Sequence, residues 1–287
     1  MPGTTFEGLL TRFAIGIQSE LGEPQGVAGT AKGLLLSRDS NRMEQNKYDD
    51  PQFFQKYSQM PRSVQGLDVA GEWPAFKSLL PDLNGKSVLD LGCGFGWHCR
   101  YARERGAQRV LGIDISDKML ERARMQTKDS GIEYRQSAIE DLQFDAARFE
   151  AIISSLAFHY VEQFATVFRR VFEWLKPGGS FVFSVEHPIF TALPAQDWCP
   201  GSKGERLHWP VDDYHEEGIR HTTWMADNVV KYHRTLASYI NGLIDAHFSI
   251  ERVVEPTVPQ ELLGSRPDWQ DEVRRPMFLL ISATKHW

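Results

Sequence analysis

The sequence predicts an α/β fold with a doubly wound, mostly parallel sheet, and two observations lead to that prediction. Apolar runs typical of buried strands alternate along the chain with amphipathic helical runs, which is the pattern of successive βαβ units. In addition, the apolar run at residues 88–91 ends in alternating glycines, Gly92, Gly94 and Gly96, and a helical segment over 97–105 follows at once. Glycines allow a sharp turn and the close approach of a ligand. This strand, turn and helix therefore predict a ligand site at the carboxyl end of the sheet.

The remaining elements follow in order from their periodicity. Residues 50–80 are rich in aromatic side chains and predict helices ahead of the first strand. Apolar residues spaced three and four apart predict helices over 162–175 and 236–248, and Ser116 suits the N-cap of a helix over 117–127. The later strands are predicted at residues 109–114, 132–137, 151–155, 175–184, 248–255 and 277–284.

Two regions depart from this alternation. Residues 1–42 are interpreted as an extension, flexible or peripheral to a main domain over 43–287, and their scattered acidic residues argue against a transit peptide. Deleting them is expected to leave ligand binding intact. Residues 187–234 contain several prolines and tryptophans and predict an irregular insertion after the fifth strand. So long an irregular stretch is usually functional, so we interpret it as a substrate lid; the alternative is an insertion that closes the sheet edge.

Charge and cysteine content disfavour several classes. The 287 residues carry 32 Lys and Arg against 38 Asp and Glu, a net charge of −6, which argues against a long nucleic-acid track. Cys93, Cys99 and Cys199 have neither metal-ligand nor disulfide spacing, and no apolar run reaches the length of a membrane span. We therefore expect a cytoplasmic protein with no metal and no membrane association, for which nucleic acid is a disfavoured partner. The oligomeric state stays open, with a homodimer as one option.

The glycine turn separates two ligand classes. The dinucleotide fingerprint G-x-G-x-x-G requires a third glycine where this chain has Trp97. The pattern present is D-L-G-C-G-F-G over residues 90–96, and Asp114 ends the second strand run 24 residues after Asp90. A Leu-Lys-Pro-Gly-Gly turn then leads into the fifth strand. Together these features, which span residues 83–186, resemble the class I S-adenosylmethionine-dependent methyltransferases.

The resemblance implies the rest of the architecture and the reaction. It implies a seven-stranded sheet with helices on both faces, a last strand that runs antiparallel, and an N-terminal helical cover over residues 50–80. The implied reaction transfers a methyl group from S-adenosylmethionine and releases S-adenosylhomocysteine. Such a reaction needs a base only if the acceptor must lose a proton.

The resemblance also assigns cofactor contacts. Through Gly92, Cys93 and Gly94 the turn would lie against the methionine part, while Asp90 would orient the turn or bind the ammonium through water. Asp114 would hold the ribose hydroxyls. The adenine contacts and the residues at the junction between cofactor and substrate would be Ile115, Met119, Ile139, Glu140, Ser154, Leu156, His159 and Tyr160. In the cover, Tyr57 and Arg62 would reach the cofactor carboxylate; the alternatives are core packing for Tyr57 and a surface charge for Arg62.

The third motif departs from the family pattern. Ala138 stands where many relatives have an acid that accepts from the adenine amino group. The amide of Ile139 or the side chain of Glu140 would then serve the ring. For His159 the alternative is a buried core histidine.

The substrate side is predicted at the end of the fifth strand. Glu186 and His187 follow that strand at the carboxyl edge, and His233 is the predicted dyad partner of Glu186. Glu186 would orient an amine, accept a hydroxyl proton or stabilise a developing cation; the alternative is a carboxylate that ties the insertion to the sheet. In an extended strand, Lys231 and His233 share one face and Arg234 lies on the other. These basic side chains, with Arg274 and Arg275, would grip an anionic substrate or serve as surface charge.

Three functions remain open at this point. The first is a methyltransferase that acts on a small molecule, which the acidic balance and the aromatic insertion favour. The second is a methyltransferase of RNA or protein, and the third is a protein that binds S-adenosylmethionine without turnover.

Overall fold

The computed structural model describes residues 46–258, 260–265 and 267–286, and the predicted extension over 1–42 lies outside them. All described residues fall in one unit, Met43–Trp287. The strands are β1 Ser87–Leu91, β2 Arg109–Asp114, β3 Ile132–Gln136, β4 Phe149–Ser155, β5 Leu175–Glu186, β6 Cys199–Pro200, β7 Arg206–His208, β8 Gly218–Trp224, β9 Ala226–His233, β10 Ser249–Val254 and β11 Phe278–Thr284. The α-helices are α1 Pro51–Ser58, α2 Pro61–Gln65, α3 Trp73–Leu79, α4 Trp97–Glu104, α5 Asp117–Gln126, α6 Phe164–Trp174, α7 Pro188–Thr191, α8 Leu236–Asp245 and α9 Gln260–Ser265.

Seven of these strands form one sheet in the order β10-β11-β5-β4-β1-β2-β3. Strands β1 to β5 pair in parallel, whereas β11 runs antiparallel to both β5 and β10. The predicted doubly wound sheet with an antiparallel last strand is therefore confirmed.

Both faces of the sheet are buried. Successive residues of a strand point to opposite faces, and each face is covered by its own apolar cluster. Leu89 and Leu91 belong to one apolar cluster, which includes Phe168 of α6 and Leu243 of α8. Val88, which precedes Leu89, belongs to a second cluster with side chains of α3, α4 and α5. This three-layer arrangement explains why the strand runs are nearly continuous in apolar residues.

The parallel strands bring the predicted functional residues to one edge. The carboxyl ends of β1, β2, β4 and β5 meet there: the glycine turn and Leu156 directly follow β1 and β4, and Asp114 and Glu186 end β2 and β5. The open α/β sheets bind their ligands at this edge.

The insertion after β5 is more regular than predicted. It contains α7, the short pair β6–β7 and an antiparallel hairpin of β8 and β9. The hairpin turns at Met225, which has left-handed backbone (φ 60°) and is not a glycine, and Asn228 (φ 57°) is a second left-handed residue within β9. The sequence therefore carries no strong turn signal at this point.

The N-terminal cover and the hairpin meet above the carboxyl edge. Asp50 caps α1 by accepting from the Gln52 and Phe53 amides at 3.0 and 2.9 Å. The Phe53 ring lies 5.5 Å from the Trp224 ring, and Lys56 Nζ donates to the Met225 carbonyl at 2.6 Å. We call these α1-to-hairpin contacts the clasp. Among the described residues, no helix has the length and apolar character to cross a bilayer.

Candidate active site

The turn after β1 fits its surroundings only as glycine. Gly92, Gly94 and Gly96 have φ angles of 77°, 52° and 72°, which side chains rarely adopt. A Cβ at Gly92 would lie 2.4 Å from the Ala157 Cβ, and one at Gly96 would lie 2.1 Å from the Tyr134 hydroxyl. The chain is therefore threaded tightly between the β3 side of the sheet and the loop that follows β4.

Asp90 is a buried carboxylate with a free oxygen. It is 1% exposed, and its Oδ2 accepts from Cys99 Sγ at 3.2 Å, while Oδ1 has no hydrogen-bond partner among the described residues. Burial raises the pKa of Asp90 to about 7. Because an unpartnered buried oxygen is costly, this atom fits a donor such as the ammonium of a ligand.

Asp114 organises the neighbouring strand end. Its carboxylate accepts from the Gly94 amide at 2.8 Å and from the Ser116 amide at 2.9 Å. Burial raises the pKa of Asp114 to about 6 despite these two bonds. Met119 is buried, and its methyl group lies 3.3 Å from where a Cβ of Gly94 would be. Ile115, which lies between Asp114 and Met119 in sequence, is half-buried, so these three predicted residues follow one another from the end of β2 into α5.

Cys93 contributes to this turn through its backbone. Its amide and that of Gly92 both donate to the Ile113 carbonyl at 2.8 Å. Burial raises the pKa of the Cys93 thiol to about 11, so the side chain stays neutral.

The third motif forms a 3₁₀ turn, Ile139–Asp141. Ile139 is buried at 9% exposure, whereas the Glu140 Oε1 accepts from the Glu162 amide at 3.1 Å. The Glu140 carboxylate thus ties this turn to the connection before α6. Adenine recognition by Glu140 would have to share this oxygen or use the other one.

The loop after β4 carries strained backbone. Leu156 has a φ of 55°, and its amide donates to the Ser184 carbonyl at 3.0 Å. Such a conformation in a bulky residue costs on the order of 1–3 kcal/mol and is found mainly at functional sites. His159 is 2% exposed, its Nδ1 accepts from the Glu186 amide at 3.4 Å, and burial lowers its pKa to about 4. His159 is therefore neutral and held against the end of β5.

Ser154 has a different position from the one predicted. It is fully buried, and its hydroxyl donates to the Leu91 carbonyl at 2.7 Å. The side chain ties β4 to β1 instead of lining the junction between cofactor and substrate.

The two predicted residues of the cover lie next to each other. The Tyr57 ring contacts Phe95 at 5.7 Å and Trp224 at 6.3 Å between centroids. Arg62 Nη2 pairs at 2.9 Å with Glu72, a carboxylate that is 4% exposed. Tyr57 therefore packs over the glycine turn, while part of the Arg62 guanidinium is committed to the cover itself.

Glu186 belongs to a closed polar ring. Lys231 Nζ donates to Glu186 Oε1 at 2.6 Å and to Gln196 Oε1 at 3.0 Å, and Gln196 Nε2 donates to Glu186 Oε2 at 3.0 Å. Lys231 is 1% exposed, and its ammonium lies 5.5 Å from the centre of the Trp224 ring. Burial acts to raise the pKa of Glu186, but His159, Lys231 and Gln196 outweigh it and keep the pKa below its usual value.

The two histidines predicted as catalytic have structural partners. His187 Nδ1 accepts from the Ile189 amide at 3.1 Å and caps α7, while Nε2 contacts Glu255 at 2.8 Å. His233 Nδ1 bonds to Thr191 Oγ1 at 2.8 Å, and Nε2 donates to the Tyr214 carbonyl at 3.0 Å. The predicted Glu186–His233 dyad is therefore wrong, because Lys231, two residues earlier on the same face of β9, is the partner of Glu186.

The aromatic side chains between the two halves of the site were only partly predicted. Tyr48 and Tyr160 share a hydrogen bond, and burial raises the pKa of both phenols. The nearby Asp114 carboxylate adds to the rise at Tyr48, and the Glu186 carboxylate adds to it at Tyr160. This pair thus lies between the cofactor side and the substrate side. Trp224 is one of the tryptophans of the predicted insertion, whereas Tyr48 and Gln196 lacked a sequence signal because they lie in segments without periodicity.

Comparison with known proteins identifies the fold and its chemistry. Residues 89–183 match the family described as a methyltransferase domain. An S-adenosylmethionine-dependent methyltransferase from Mesorhizobium loti is 48% identical, with a TM-score of 0.72, over 76% of this chain and 100% of that one. A Listeria monocytogenes protein assigned to the same class is 50% identical, with a TM-score of 0.73, over 77% of this chain and 99% of that one.

A curated relative extends the likeness over most of the chain. It is a Haemophilus influenzae protein without an assigned activity, 37% identical over 249 residues, which are 83% of this chain and 96% of that protein. The glycine turn, the two acidic strand ends and these relatives lead to one conclusion: the chain belongs to the class I S-adenosylmethionine-dependent methyltransferases and uses S-adenosylmethionine as its methyl donor.

Proposed function

We propose that the methyl acceptor is a small molecule that binds beside Glu186, between the end of β5 and the β8–β9 hairpin. The observation that carries this proposal is the Glu186–Lys231–Gln196 ring, in which Lys231 is buried against Trp224 while Glu186 and Gln196 stay partly exposed. A ligand that reaches Glu186 would be enclosed by the insertion and by the clasp. Enclosure of this kind suits a small ligand, most of whose surface is covered by its pocket.

The cofactor half supports the same arrangement. Asp90 has a buried oxygen without a hydrogen-bond partner among the described residues, to which we assign the ammonium of the donor, and we assign the ribose hydroxyls to the Asp114 carboxylate beside Gly94. When bound, S-adenosylmethionine supplies an electrophilic methyl group and departs as a neutral thioether, so the reaction needs no acid. The contribution of the chain is to orient the acceptor in line with that methyl group and to exclude water.

Glu186 suits orientation better than proton removal. The carboxylate is paired with Lys231, and its pKa is kept low, which makes it a weak base. It still has lone pairs with which to accept a hydrogen bond from the acceptor. We therefore assign to Glu186 the role of aligning the acceptor group.

The basic clusters do not support RNA or protein as the acceptor. Arg234 donates to the carbonyls of Val161 and Glu162, and Arg275 pairs with Glu272 at 2.7 Å. Arg274 pairs with Asp271 at 2.8 Å. These guanidinium groups are engaged within the chain instead of forming the exposed basic stripe that a polyanion needs.

Release of S-adenosylhomocysteine tests the proposal. Purified protein with S-adenosylmethionine is mixed with a host-cell extract that has been split into small metabolites and macromolecules. We expect release with the small-metabolite fraction alone; release that requires the macromolecular fraction would contradict the proposal.

Turnover by a variant of Glu186 tests whether the acceptor binds beside this residue. Glu186→Gln should keep S-adenosylhomocysteine binding and lower turnover at least about tenfold, which corresponds to about 1.4 kcal/mol. Glu133→Gln, an exposed change on β3, is the matched control and should leave both unchanged. Full turnover by Glu186→Gln would remove Glu186 from the acceptor site.

A further inference from the structure

We infer that the acceptor presents a neutral hydrogen-bond donor, an O–H or N–H group on an apolar or aromatic body, to Glu186, and that this position excludes ammonium and carboxylate groups. The inference rests on the proposed function and narrows it to a substrate class. Three observations carry it: the charge balance of the ring, the use of its donors, and its aromatic surroundings.

The charges at the site are already paired. Glu186 Oε1 and Lys231 Nζ are 2.6 Å apart, and Lys231 is 1% exposed. An ammonium brought to Glu186 would approach the Lys231 ammonium, and a carboxylate brought to Lys231 would approach Glu186. Repulsion between like charges is far stronger in such a buried place than in water. A neutral group meets neither penalty.

The donors of the charged member of the ring, Lys231, are also used. Lys231 donates to Glu186 and to Gln196 Oε1, and its ammonium lies against the ring of Trp224. Gln196 donates to Glu186 Oε2 at 3.0 Å from backbone with a φ of 46°, a strained conformation for this residue. Besides the second N–H of the Gln196 amide, the ring still offers acceptor capacity on the Glu186 carboxylate, because each of its oxygens has a second lone pair. The matching ligand group is therefore a donor.

Aromatic side chains favour an apolar body for that donor. Trp224 covers Lys231. Tyr160 lies close enough to Glu186 for the negative charge of the carboxylate to raise the pKa of the Tyr160 phenol. The Tyr48 ring stands at right angles to Tyr160, with 6.3 Å between centroids. Such walls suit the flat or apolar part of a small ligand.

Three probes of nearly equal shape test the inference: benzyl alcohol, benzylamine and benzoate. Their binding to the full chain saturated with S-adenosylhomocysteine is measured by calorimetry and ligand-observed NMR. We expect benzyl alcohol to bind at least about tenfold more tightly than either charged probe. Tighter or equal binding of benzylamine or benzoate, or no millimolar binding of benzyl alcohol, would overturn the inference.

Variants that change the charge of the ring should change which of the three probes binds most tightly. Lys231→Met leaves Glu186 uncompensated and should favour benzylamine, whereas Glu186→Gln leaves Lys231 uncompensated and should favour benzoate. The double variant Glu186→Gln with Lys231→Met restores neutrality, guards against loss of folding in the single variants, and should again prefer benzyl alcohol. An unchanged order across all three variants would place the probes elsewhere and overturn the inference.

The two proposals fail separately. Release of S-adenosylhomocysteine that requires macromolecules would contradict a small-molecule acceptor and leave the probe order unaffected. A reversed probe order with release from small metabolites would contradict only the neutral-donor class.

Discussion

Asp90 and Asp114, at the ends of adjacent strands, differ in how fully their carboxylates are hydrogen-bonded. Asp114 accepts from two backbone amides, whereas Asp90 accepts from Cys99 and keeps one oxygen free. Burial raises the pKa of Asp90 from 3.8 to about 7. Between about pH 4 and 7 the folded protein therefore holds a proton that the unfolded chain has lost. This group makes the ligand-free protein less stable as pH rises through that window.

Ligand binding should show the opposite trend with pH. A bound ammonium favours the ionised form of Asp90, so affinity for S-adenosylhomocysteine should rise as pH increases toward 7. One coupled proton gives about a tenfold weaker affinity for each pH unit below 7. Calorimetry between pH 5.5 and 8 measures this slope, and Asp90→Asn should flatten it while weakening binding. The same slope in Asp90→Asn would assign the proton to Asp114 or to the ligand.

At the scale of elements, His187 shows how a residue beside the site can be structural. It caps the short helix α7 and contacts Glu255, so both of its ring nitrogens have structural partners. Loss of an N-cap costs roughly 0.5–2 kcal/mol. Both His187→Ala and His187→Asn remove the contact with Glu255, but Asn can still cap, so we expect the free energy of unfolding to fall by about that amount more in His187→Ala than in His187→Asn. Equal losses in chemical denaturation would show that the contact with Glu255 dominates.

The clasp makes a second prediction at this scale. Lys56 of the clasp donates to the Met225 carbonyl, and Lys47, just before α1, donates to the Asp227 carbonyl, so both lysines fasten the hairpin to the N-terminal part of the domain. Exposed bonds of this kind contribute about 0.5–1.5 kcal/mol each. Replacing both lysines with Met should therefore speed amide exchange in β8 and β9 severalfold, with Lys128→Met as the exposed control. Unchanged exchange in the double variant would mean that the aromatic contacts alone hold the hairpin.

The elements also show what the sequence can predict. Strands β1 to β5 and helices α4 to α6 carry continuous apolar runs or clear helical spacing, so their order and the carboxyl edge were predictable. The partner of Glu186 was not, because 45 residues without periodicity separate it from Lys231. The sequence correctly predicted that Lys231 and His233 share one face of β9. Which of the two reaches Glu186 depends on how far β9 extends along the carboxyl edge of the sheet. That position is fixed by the hairpin, which turns at Met225 without a glycine.

At the scale of the whole molecule, ligand binding and folding are linked through the edge where the two halves of the site meet. A ligand that binds only the folded state at 100 times its dissociation constant adds about 2.7 kcal/mol of stability. For a domain of this size that corresponds to a rise in Tm of about 5–10 °C. Thermal unfolding with and without S-adenosylhomocysteine should show this rise, and Asp114→Asn should show much less of it. Asp117→Asn, an exposed change three residues away, is the matched control.

The same measurement tests whether residues 1–42 contribute to the site. Every residue that we place at the carboxyl edge, from Tyr48 onward, lies within Met43–Trp287. A chain that begins at Met43 retains the cover, the glycine turn and the insertion, so it should unfold cooperatively and show the same ligand-induced rise in Tm as the full chain. A folded truncation with a clearly smaller rise would mean that the first 42 residues supply part of the binding energy. The cofactor site would then extend beyond the sheet edge described above.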